Sequence, residues 1–351
     1  MTAPPLDDEA RTAPPDTTWS PVDMSMVGLT VEEATIFTRV DDVGLIYPGR
    51  VHWFQGESES HKTWVLLIAM AQILLDGGNA AYVDFEDHPS TIKARLEALG
   101  VPTETITDRN RFVYMRPDEP LQDDQRAELF GALDAAKPAL VVIDGVSESM
   151  NIEDLDPNST PDTAEWIRRL PKLIAATGPA VAVIDHQTKA MDGRKGWAIG
   201  SQHKKAGTDG AAYDVTAIRK VNRAYFSDPV EGLVVVKVVK DRVGYVRGHS
   251  PADNAATVKI TAWPDGGITY QVTTDAVAGD FGIRQRIAQY LDGAPGSSKR
   301  SIRDVGGKGE LLDQALAGMV ADGYVRMEKQ GAAHAHYLTD EGRDAYLGDQ
   351  E

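Results

Sequence analysis

Residues 56–63, "GESESHKT", come close to a pattern that binds phosphate groups. In that pattern, G-x-x-x-x-G-K-S/T, backbone N–H groups cradle the phosphates, the lysine reaches the β- and γ-phosphates, and the hydroxyl holds Mg²⁺. Lys62 and Thr63 occupy the last two positions, whereas His61 stands where the second glycine is expected. A pattern relaxed in this way occurs by chance in roughly one chain in five, so its meaning depends on the elements around it.

His61 decides whether this loop can work. The glycine that it replaces takes a backbone conformation that most side chains avoid, and histidine is among the few other residues enriched at positive φ. We therefore predict a working loop in which His61 takes that conformation at some cost in stability. The predicted nucleotide-binding residues are Gly56, Glu57, Ser58, Glu59, Ser60, His61, Lys62, Thr63 and Trp64.

Polar residues also follow three later apolar runs. Glu86 and Asp87 come after "AAYVDF", where a carboxylate can orient and deprotonate the water that attacks a γ-phosphate. Asp87 could instead only cap the helix that begins at "HPSTI". Asp144 ends "ALVVID", the form of a strand whose aspartate holds Mg²⁺ through water. His186 follows "AVAVID" and could sense a phosphate, although a single histidine there is more often structural.

Lys240 and Arg242 stand two residues apart in "VVKDRVG". On a strand this spacing places both side chains on one face and Asp241 on the other. Such a pair can stabilise the charge that develops during phosphoryl transfer. Taken alone, it is equally typical of solvated surface charges.

The elements that must position these residues alternate between strands and helices from about residue 47 to 185. The runs "YPGRVHWFQ", "AAYVDF", "RFVYM", "ALVVID" and "AVAVID" are largely apolar, and helical patterns separate them. This alternation predicts an α/β fold with a mostly parallel sheet covered on both faces. The strand before residue 56 and the helix after residue 61 provide the arrangement that a phosphate loop needs. After residue 214, strands in succession predict an antiparallel extension at the edge of the sheet.

Composition and charge narrow the class of protein. With 42% apolar and 25% charged residues in 351, the chain is typical of a soluble globular protein. No apolar run approaches the roughly 18 residues of a membrane span, and the acidic start has no hydrophobic segment, so we predict a cytoplasmic location. The absence of cysteine excludes disulfides and thiolate metal sites. The net charge of −17 argues against a protein that coats nucleic acid with its whole surface, so any DNA contact must be local.

The end of the chain has a different pattern, and three domains are predicted: a flexible acidic arm (1–40), the α/β domain (41–277) and a small α+β domain (278–351). In the last domain, three helical stretches precede "YVRMEKQGAAHAHYLT", which alternates like a hairpin. Three helices and a β-wing resemble a winged-helix domain, a family that usually binds DNA and often binds proteins.

The charges of this small domain leave both partners open. A basic cluster precedes its third helix and could contact DNA; its members are Lys299, Arg300, Arg303 and Lys308. However, acidic residues outnumber basic ones over residues 281–351, and the third helix is expected to expose Glu310 and Asp313.

Taken in chain order, the motifs of residues 20–250 resemble the RecA-fold hexameric P-loop ATPases. The resemblance is nearest to RepA- and DnaB-like helicases and to actinobacterial and actinophage AAA-family ATPases, and it includes "AIGSQHKKAGTDGAAY" and "KDRVGYVRG". It implies a RecA-like core that hydrolyses ATP with Mg²⁺ at the subunit interfaces of a ring. His61 is the clear departure from the family pattern, and it leaves the rate of hydrolysis open.

The resemblance also implies roles for individual residues. Lys62 and Thr63 match the phosphate loop, Glu86 the catalytic glutamate, Asp144 the aspartate that holds Mg²⁺ through water, and His186 the γ-phosphate sensor. Lys240 and Arg242 match a pair that reaches into the neighbouring subunit's site. Residues 200–210 fall where the family carries a central-channel loop, and their basic members would grip single-stranded DNA; these are His203, Lys204 and Lys205.

These observations lead to one hypothesis and two alternatives. The hypothesis is a homo-oligomeric, ring-forming ATPase, most simply a hexamer, that acts on DNA as a helicase or helicase loader in phage or mobile-element replication. The first alternative is an ATP-switched initiator or regulator whose winged helix docks on duplex DNA or on a replication protein. The second is a degenerate scaffold that binds the nucleotide without hydrolysing it.

Overall fold

The computed structural model describes residues 23–26, 32–186, 207–220, 229–274, 277–305, 309–330 and 333–347. The chain divides into two compact units, Met1–Glu32 and Glu33–Glu351. In the first unit, a 3₁₀ turn covers Met24–Met26. In the second, the described residues form a large mixed sheet, a two-stranded sheet near its beginning and a three-stranded sheet near its end.

The large sheet has nine strands within the described residues. Strands β1 (Ile36–Thr38) and β2 (Gly44–Ile46) form the separate hairpin, and the large sheet consists of β3 (Val51–Gly56), β4 (Ala80–Asp84), β5 (Phe112–Met115), β6 (Leu140–Asp144), β7 (Ala180–His186), β8 (Ala211–Arg219), β9 (Val230–Asp241), β10 (Asn254–Ala262) and β11 (Ile268–Thr273). Their order is β11-β10-β9-β8-β3-β7-β6-β4-β5. Neighbours from β8 to β5 are parallel, and β9, β10 and β11 continue the sheet in antiparallel fashion. This fits a RecA-like P-loop core.

Helices cover both faces of this sheet because its strands are apolar on both sides. The helices are α1 (Lys62–Leu75), α2 (Pro89–Ala98), α3 (Thr103–Thr107), α4 (Asp123–Ala136), α5 (Val146–Ile152), α6 (Thr160–Arg169), α7 (Pro171–Ala175) and α8 (Tyr245–Gly248). In β4, Ala80 and Tyr82 join the apolar cluster under α1 and α2, whereas Ala81 and Val83 join the cluster under α4 to α7. Alternate residues of a strand point to opposite faces, so a buried parallel strand must be apolar throughout.

The mostly parallel sheet with an antiparallel extension was predicted from the sequence and is confirmed. Three local features differ from the prediction. Strand β1 lies inside the stretch predicted as a flexible arm, and its Phe37 is buried. Helices α3 and α5 were not predicted. The helical pattern between "ALVVID" and "AVAVID" includes "TPDTAEWIRRLPKLIAATG", which is divided into α6 and α7 at Leu170, because the following proline disfavours helical geometry in the residue before it.

The C-terminal part, residues 277–347, has its own small core. Its elements are α9 (Val277–Gly293), β12 (Ser297–Ser298), α10 (Lys299–Ile302), a 3₁₀ turn (Arg303–Val305), α11 (Gly309–Ala321), β13 (Val325–Gln330), β14 (Ala333–Leu338) and α12 (Asp340–Tyr346). The strands pair in the antiparallel order β12-β14-β13. Ile287, Leu291, Leu312 and Leu316 are buried together, and Ile218 and Leu233 of the large sheet pack against them.

The hydroxyl of Thr339 accepts the N–H of Gly342 and so caps the last helix. None of the helices in the described ranges has both the length and the apolar composition that a bilayer crossing requires.

Candidate active site

The predicted phosphate loop connects β3 to α1 at the carboxyl edge of the parallel strands. The strand ends at Gly56 and the helix begins at Lys62. A Cβ atom on Gly56 would lie 2.3 Å from the carbonyl oxygen of Val215, so only glycine fits there. Glu57, Ser58 and Glu59 are exposed along the loop, whereas Ser60 is buried.

His61 has the left-handed conformation that was predicted for it. Its φ is 67° and its ψ is 25°, and it occupies the N-cap position of α1. Glu59 is also left-handed, with a φ of 61°. The turn that glycine usually makes in this pattern is therefore formed here with a histidine.

Lys62 places a buried ammonium at the centre of the loop. Its Nζ donates to the carbonyl oxygens of Gly56 at 3.0 Å and Glu57 at 2.7 Å, and it lies 3.4 Å from Nδ1 of His186. Burial lowers the pKa of Lys62. The positive end of the α1 dipole meets the same point, so the loop combines a fixed cation with a helix N-terminus, which is the arrangement that binds an anion.

Thr63 and Asp144 lie side by side below the loop. The Thr63 hydroxyl donates to Oδ2 of Asp144 at 3.2 Å, and the hydroxyl of Tyr82 donates to the same oxygen at 2.5 Å. The other carboxylate oxygen of Asp144, Oδ1, is buried and has no hydrogen-bond partner in the described structure. Burial raises the pKa of Asp144 to about 6.

These oxygens fit a magnesium ion. A buried carboxylate oxygen without a partner next to a hydroxyl is the kind of hard ligand set that Mg²⁺ takes together with water and phosphate oxygens. Within the described ranges, no three His, Asp or Glu side chains form a complete metal site on their own. Thr63 and Asp144 would share Mg²⁺ with phosphate oxygens of the nucleotide and with water.

Glu86 and His186 meet across the cleft from the loop. Nε2 of His186 lies 3.1 Å from both carboxylate oxygens of Glu86, while Nδ1 of the same ring faces Lys62. The hydrogen bond from His186 lowers the pKa of Glu86, and the same bond raises the pKa of His186. Lys62, His186 and Glu86 therefore form a continuous chain of contacts.

The turn after β4 points Glu86, rather than Asp87, into the cleft. The buried Asp84 accepts the N–H groups of Glu86 at 3.0 Å and Asp87 at 2.8 Å. The carboxylate of Asp87 pairs with Arg95 at 3.3 Å. The alternative in which Asp87 caps α2 is wrong, because His88 is the N-cap and its ring accepts the N–H of Ser90.

Residues 37–192 match a family model described as an AAA domain. The match supports an AAA-type P-loop ATPase. It spans the strands and loops that carry the residues described above, from the phosphate loop to His186. A search of curated proteins found no match to the chain.

Three residues of the ATPase cleft escaped the sequence prediction. The cleft has a volume of about 330 Å³, and Arg95 and Lys220 line it with the predicted residues. Arg95 lies over the ring of Trp64 at 5.6 Å, and Lys220 forms an ion pair with Glu59. Glu148, in the first turn of α5, lies beside Glu86 over Gly145. Its position four residues after Asp144 was the available signal, but acidic residues are common in any first helical turn.

Lys240 and Arg242 do not lie together in the cleft. Strand β9 ends at Asp241, so the prediction that both cations lie on one strand is wrong for Arg242. Nζ of Lys240 donates to the carbonyl oxygen of Thr208 at 2.6 Å. The N–H of Arg242 bonds to Gly210, whose own N–H bonds to Val51 at the start of β3. Arg242 is therefore about 16 Å from the phosphate loop along the strand direction.

The DNA-contact candidates are partly outside the described residues, namely His203, Lys204, Lys205 and Lys308. In the C-terminal part, Nζ of Lys299 lies 3.0 Å from Asp313, and the guanidinium of Arg303 also binds that carboxylate. These contacts, with Arg303 the stronger, lower the pKa of Asp313 to about 2. Asp313, which was expected to be exposed, is only partly exposed because these two cations pair with it, whereas Arg300 is exposed.

Proposed function

We propose that the chain hydrolyses ATP with Glu86 as the general base and Lys62 as the phosphate-binding cation. The contact chain from Lys62 through His186 to Glu86 carries this proposal. It supports the proposal because a cation that suits a γ-phosphate and a carboxylate that suits an attacking water lie on opposite sides of one cleft. In open α/β sheets, the carboxyl edge that forms this cleft is where ligands bind.

Each side chain then has a definite task. Lys62 and the loop N–H groups hold the β- and γ-phosphates, and the bonds from the turn N–H groups to Asp84 hold the main chain of Glu86 in place. Glu86 orients a water and accepts its proton at the carboxylate, while the water oxygen bonds to the γ-phosphorus and the bond from that phosphorus to the oxygen of departing ADP breaks. His186 links Glu86 to Lys62 and so couples the base to the phosphate. Mg²⁺, held by Thr63 and through water by Asp144, would neutralise charge on the phosphates.

We further propose that the ATPase works as a ring on DNA, in the manner of the RepA- and DnaB-like helicases. The distance of Arg242 from its own phosphate loop supports a role toward a neighbouring copy, because its side chain spans less than half of that distance. The segment after β7 begins next to His186, so a DNA-contacting loop there would be continuous with the phosphate sensor. A hexamer is the assembly that this family resemblance favours.

The alternative of an ATP-switched initiator or regulator is supported by the C-terminal part. Its helix, strand, two helices and hairpin follow the order of a winged helix. Helix α11, in the position that reads DNA in such domains, contains no lysine or arginine. Together with the pairing of Lys299 and Arg303 to Asp313, this favours a protein partner over DNA for that helix.

The test separates the chemistry from nucleotide binding. Glu86→Gln keeps the size of the side chain and removes its basicity, so we expect nearly normal Mg-ATP binding and turnover at least roughly 100-fold slower. Asp87→Asn is the matched control and should retain most activity. Both rates are measured with and without single-stranded DNA, and strand displacement is assayed in parallel.

The outcomes distinguish the candidates. Activity in Glu86→Gln, together with loss of activity in Asp87→Asn, would assign the general base to Asp87 instead of Glu86. A wild-type chain that binds ATP without turnover would be the degenerate scaffold. DNA-stimulated turnover without strand displacement would favour the initiator or regulator.

A further inference from the structure

Glu148 lies against Glu86 at the point where β4 and β6 end. Asp84 and Asp144 pair in register, so the turns that follow them are neighbours. Gly145 directly follows Asp144, faces the turn after β4 and has a φ of 96°. A Cβ atom on Gly145 would lie 2.8 Å from Cγ of Glu86 and 3.4 Å from Oε2 of Glu148. Both carboxyl side chains therefore occupy the space over this glycine.

The two carboxyl groups lie close together over Gly145. Two carboxyl groups in one place cannot both ionise without repulsion, so one is favoured in its protonated form and can donate a hydrogen bond to the other. Burial, followed by the charge of Glu86, raises the pKa of Glu148, whereas the hydrogen bond from His186 lowers the pKa of Glu86. The proton therefore resides on Glu148, which donates to the Glu86 carboxylate.

The contact with His186 alone does not orient this carboxylate. Nε2 of His186 is 3.1 Å from each of the two oxygens of Glu86, so the imidazole does not select which oxygen faces the phosphate. A donor on the other side would make the two oxygens unequal. It would engage one oxygen and leave the other to face the attacking water.

We propose that Glu148 is a positioning residue of the hydrolytic site, which donates a hydrogen bond to Glu86 and fixes the direction of its carboxylate. This inference rests on the proposed function, because it assigns the base to Glu86. Glu148 acts on turnover only through Glu86 and does not itself contact the nucleotide. Its loss should therefore change the catalytic step and leave nucleotide affinity nearly intact.

The test compares kcat and KM for ATP in Glu148→Ala, Glu148→Gln and Glu128→Ala. Misplacement of a catalytic group by about 1 Å can cost roughly 100-fold in rate, so we expect Glu148→Ala to lose between about 10- and 100-fold in kcat. KM should stay within about twofold, since uniform binding is unchanged. Glu148→Gln still carries an N–H donor and should recover most of the rate. Glu128, an exposed glutamate on α4, is the control for removing one negative charge.

A double variant separates this inference from the proposed function. If Glu148 acts through Glu86, adding Glu148→Ala to Glu86→Gln should lower the rate no further. Wild-type kcat in Glu148→Ala, with Glu86→Gln inactive, would overturn the role of Glu148 and leave Glu86 as the base. Activity in Glu86→Gln would overturn the proposed function itself. If Glu148→Ala fails to fold, Glu148→Gln decides, because a folded Glu148→Gln with a rate as low as that of Glu86→Gln contradicts donation by this side chain.

Discussion

Lys62 and Arg303 are both cations that the sequence assigns to phosphate contacts, and their surroundings are opposite. Lys62 is buried and its ammonium is held by neutral main-chain oxygens. Arg303 is at the surface and is bound, with Lys299, to the carboxylate of Asp313. A cation held by carbonyl groups keeps its full charge for a ligand, whereas an ion-paired cation must first give up its partner. The ATPase cleft is thus preorganised for an anion, and the C-terminal cluster is not.

The first prediction extends the comparison to a third cation, Arg242, which is exposed and distant from its own loop. If it completes a neighbour's site, Arg242→Ala should lose roughly 10³-fold in turnover, because a cation supplied in trans stabilises the transition state by that factor. Mixing it with Lys62→Ala should restore some activity, since one interface then has an intact loop and an intact Arg242. ATPase rates are measured across mixing ratios. Background rates throughout, with mixed oligomers confirmed by mass, would exclude action across an interface.

The second prediction concerns the C-terminal cluster. Asp313→Asn frees Lys299 and Arg303, so if this part binds duplex DNA, the affinity should rise and the salt dependence of log K should steepen by roughly one to two units. Asp322→Asn is the matched control, because Asp322 pairs with Arg284 elsewhere in the same part. Binding is measured by fluorescence anisotropy at several salt concentrations. If Asp313→Asn and the control behave alike, the cluster does not contact DNA and a protein partner is favoured.

The smallest effect is expected at His61. A left-handed backbone costs a non-glycine residue roughly 1–2 kcal/mol, whereas a new glycine loses roughly 0.4–1 kcal/mol through the freedom of the unfolded chain. His61→Gly should therefore preserve or raise ATP turnover and change the free energy of unfolding by less than about 1 kcal/mol. His61→Val, which is β-branched, should be less stable than either. A folded His61→Gly protein without turnover would mean that the imidazole has a chemical role.

The sequence was sufficient to predict which main residues meet in the ATPase cleft, because each of them lies at or just after the end of a strand. Lys62, Glu86, Asp144 and His186 follow or end parallel strands, and parallel strands bring their carboxyl ends to one edge. The conformation of His61 was also predictable, because it depends on the loop type alone. Glu148 was not, since its contact with Glu86 depends on the pairing of β4 with β6 and on the conformation of Gly145.

The predictions failed where distant residues decide local structure. Strand β9 ends at Asp241 because this carboxylate accepts the hydroxyl of Tyr47 and the N–H of Val243, and turns the chain away. Nothing in "VVKDRVG" indicates the tyrosine. Asp313 likewise looked like an exposed helical residue, yet Arg303 lies ten positions before it and faces it across a turn. Charge counts along the chain show the cations and not their partners.

Three consecutive residues at the end of β8 and just after it link the phosphate loop to the C-terminal part. Ile218 packs into the C-terminal core, Arg219 donates to the carbonyl oxygen of Ala345 at 2.8 Å, and Lys220 pairs with Glu59 of the phosphate loop. A truncation that removes residues 277–351 would expose Ile218 and remove the hydrogen-bond acceptor of Arg219. Both residues are next to Lys220, which contacts the phosphate loop. We therefore expect a chain without residues 277–351 to hydrolyse ATP at a rate different from that of the full-length protein.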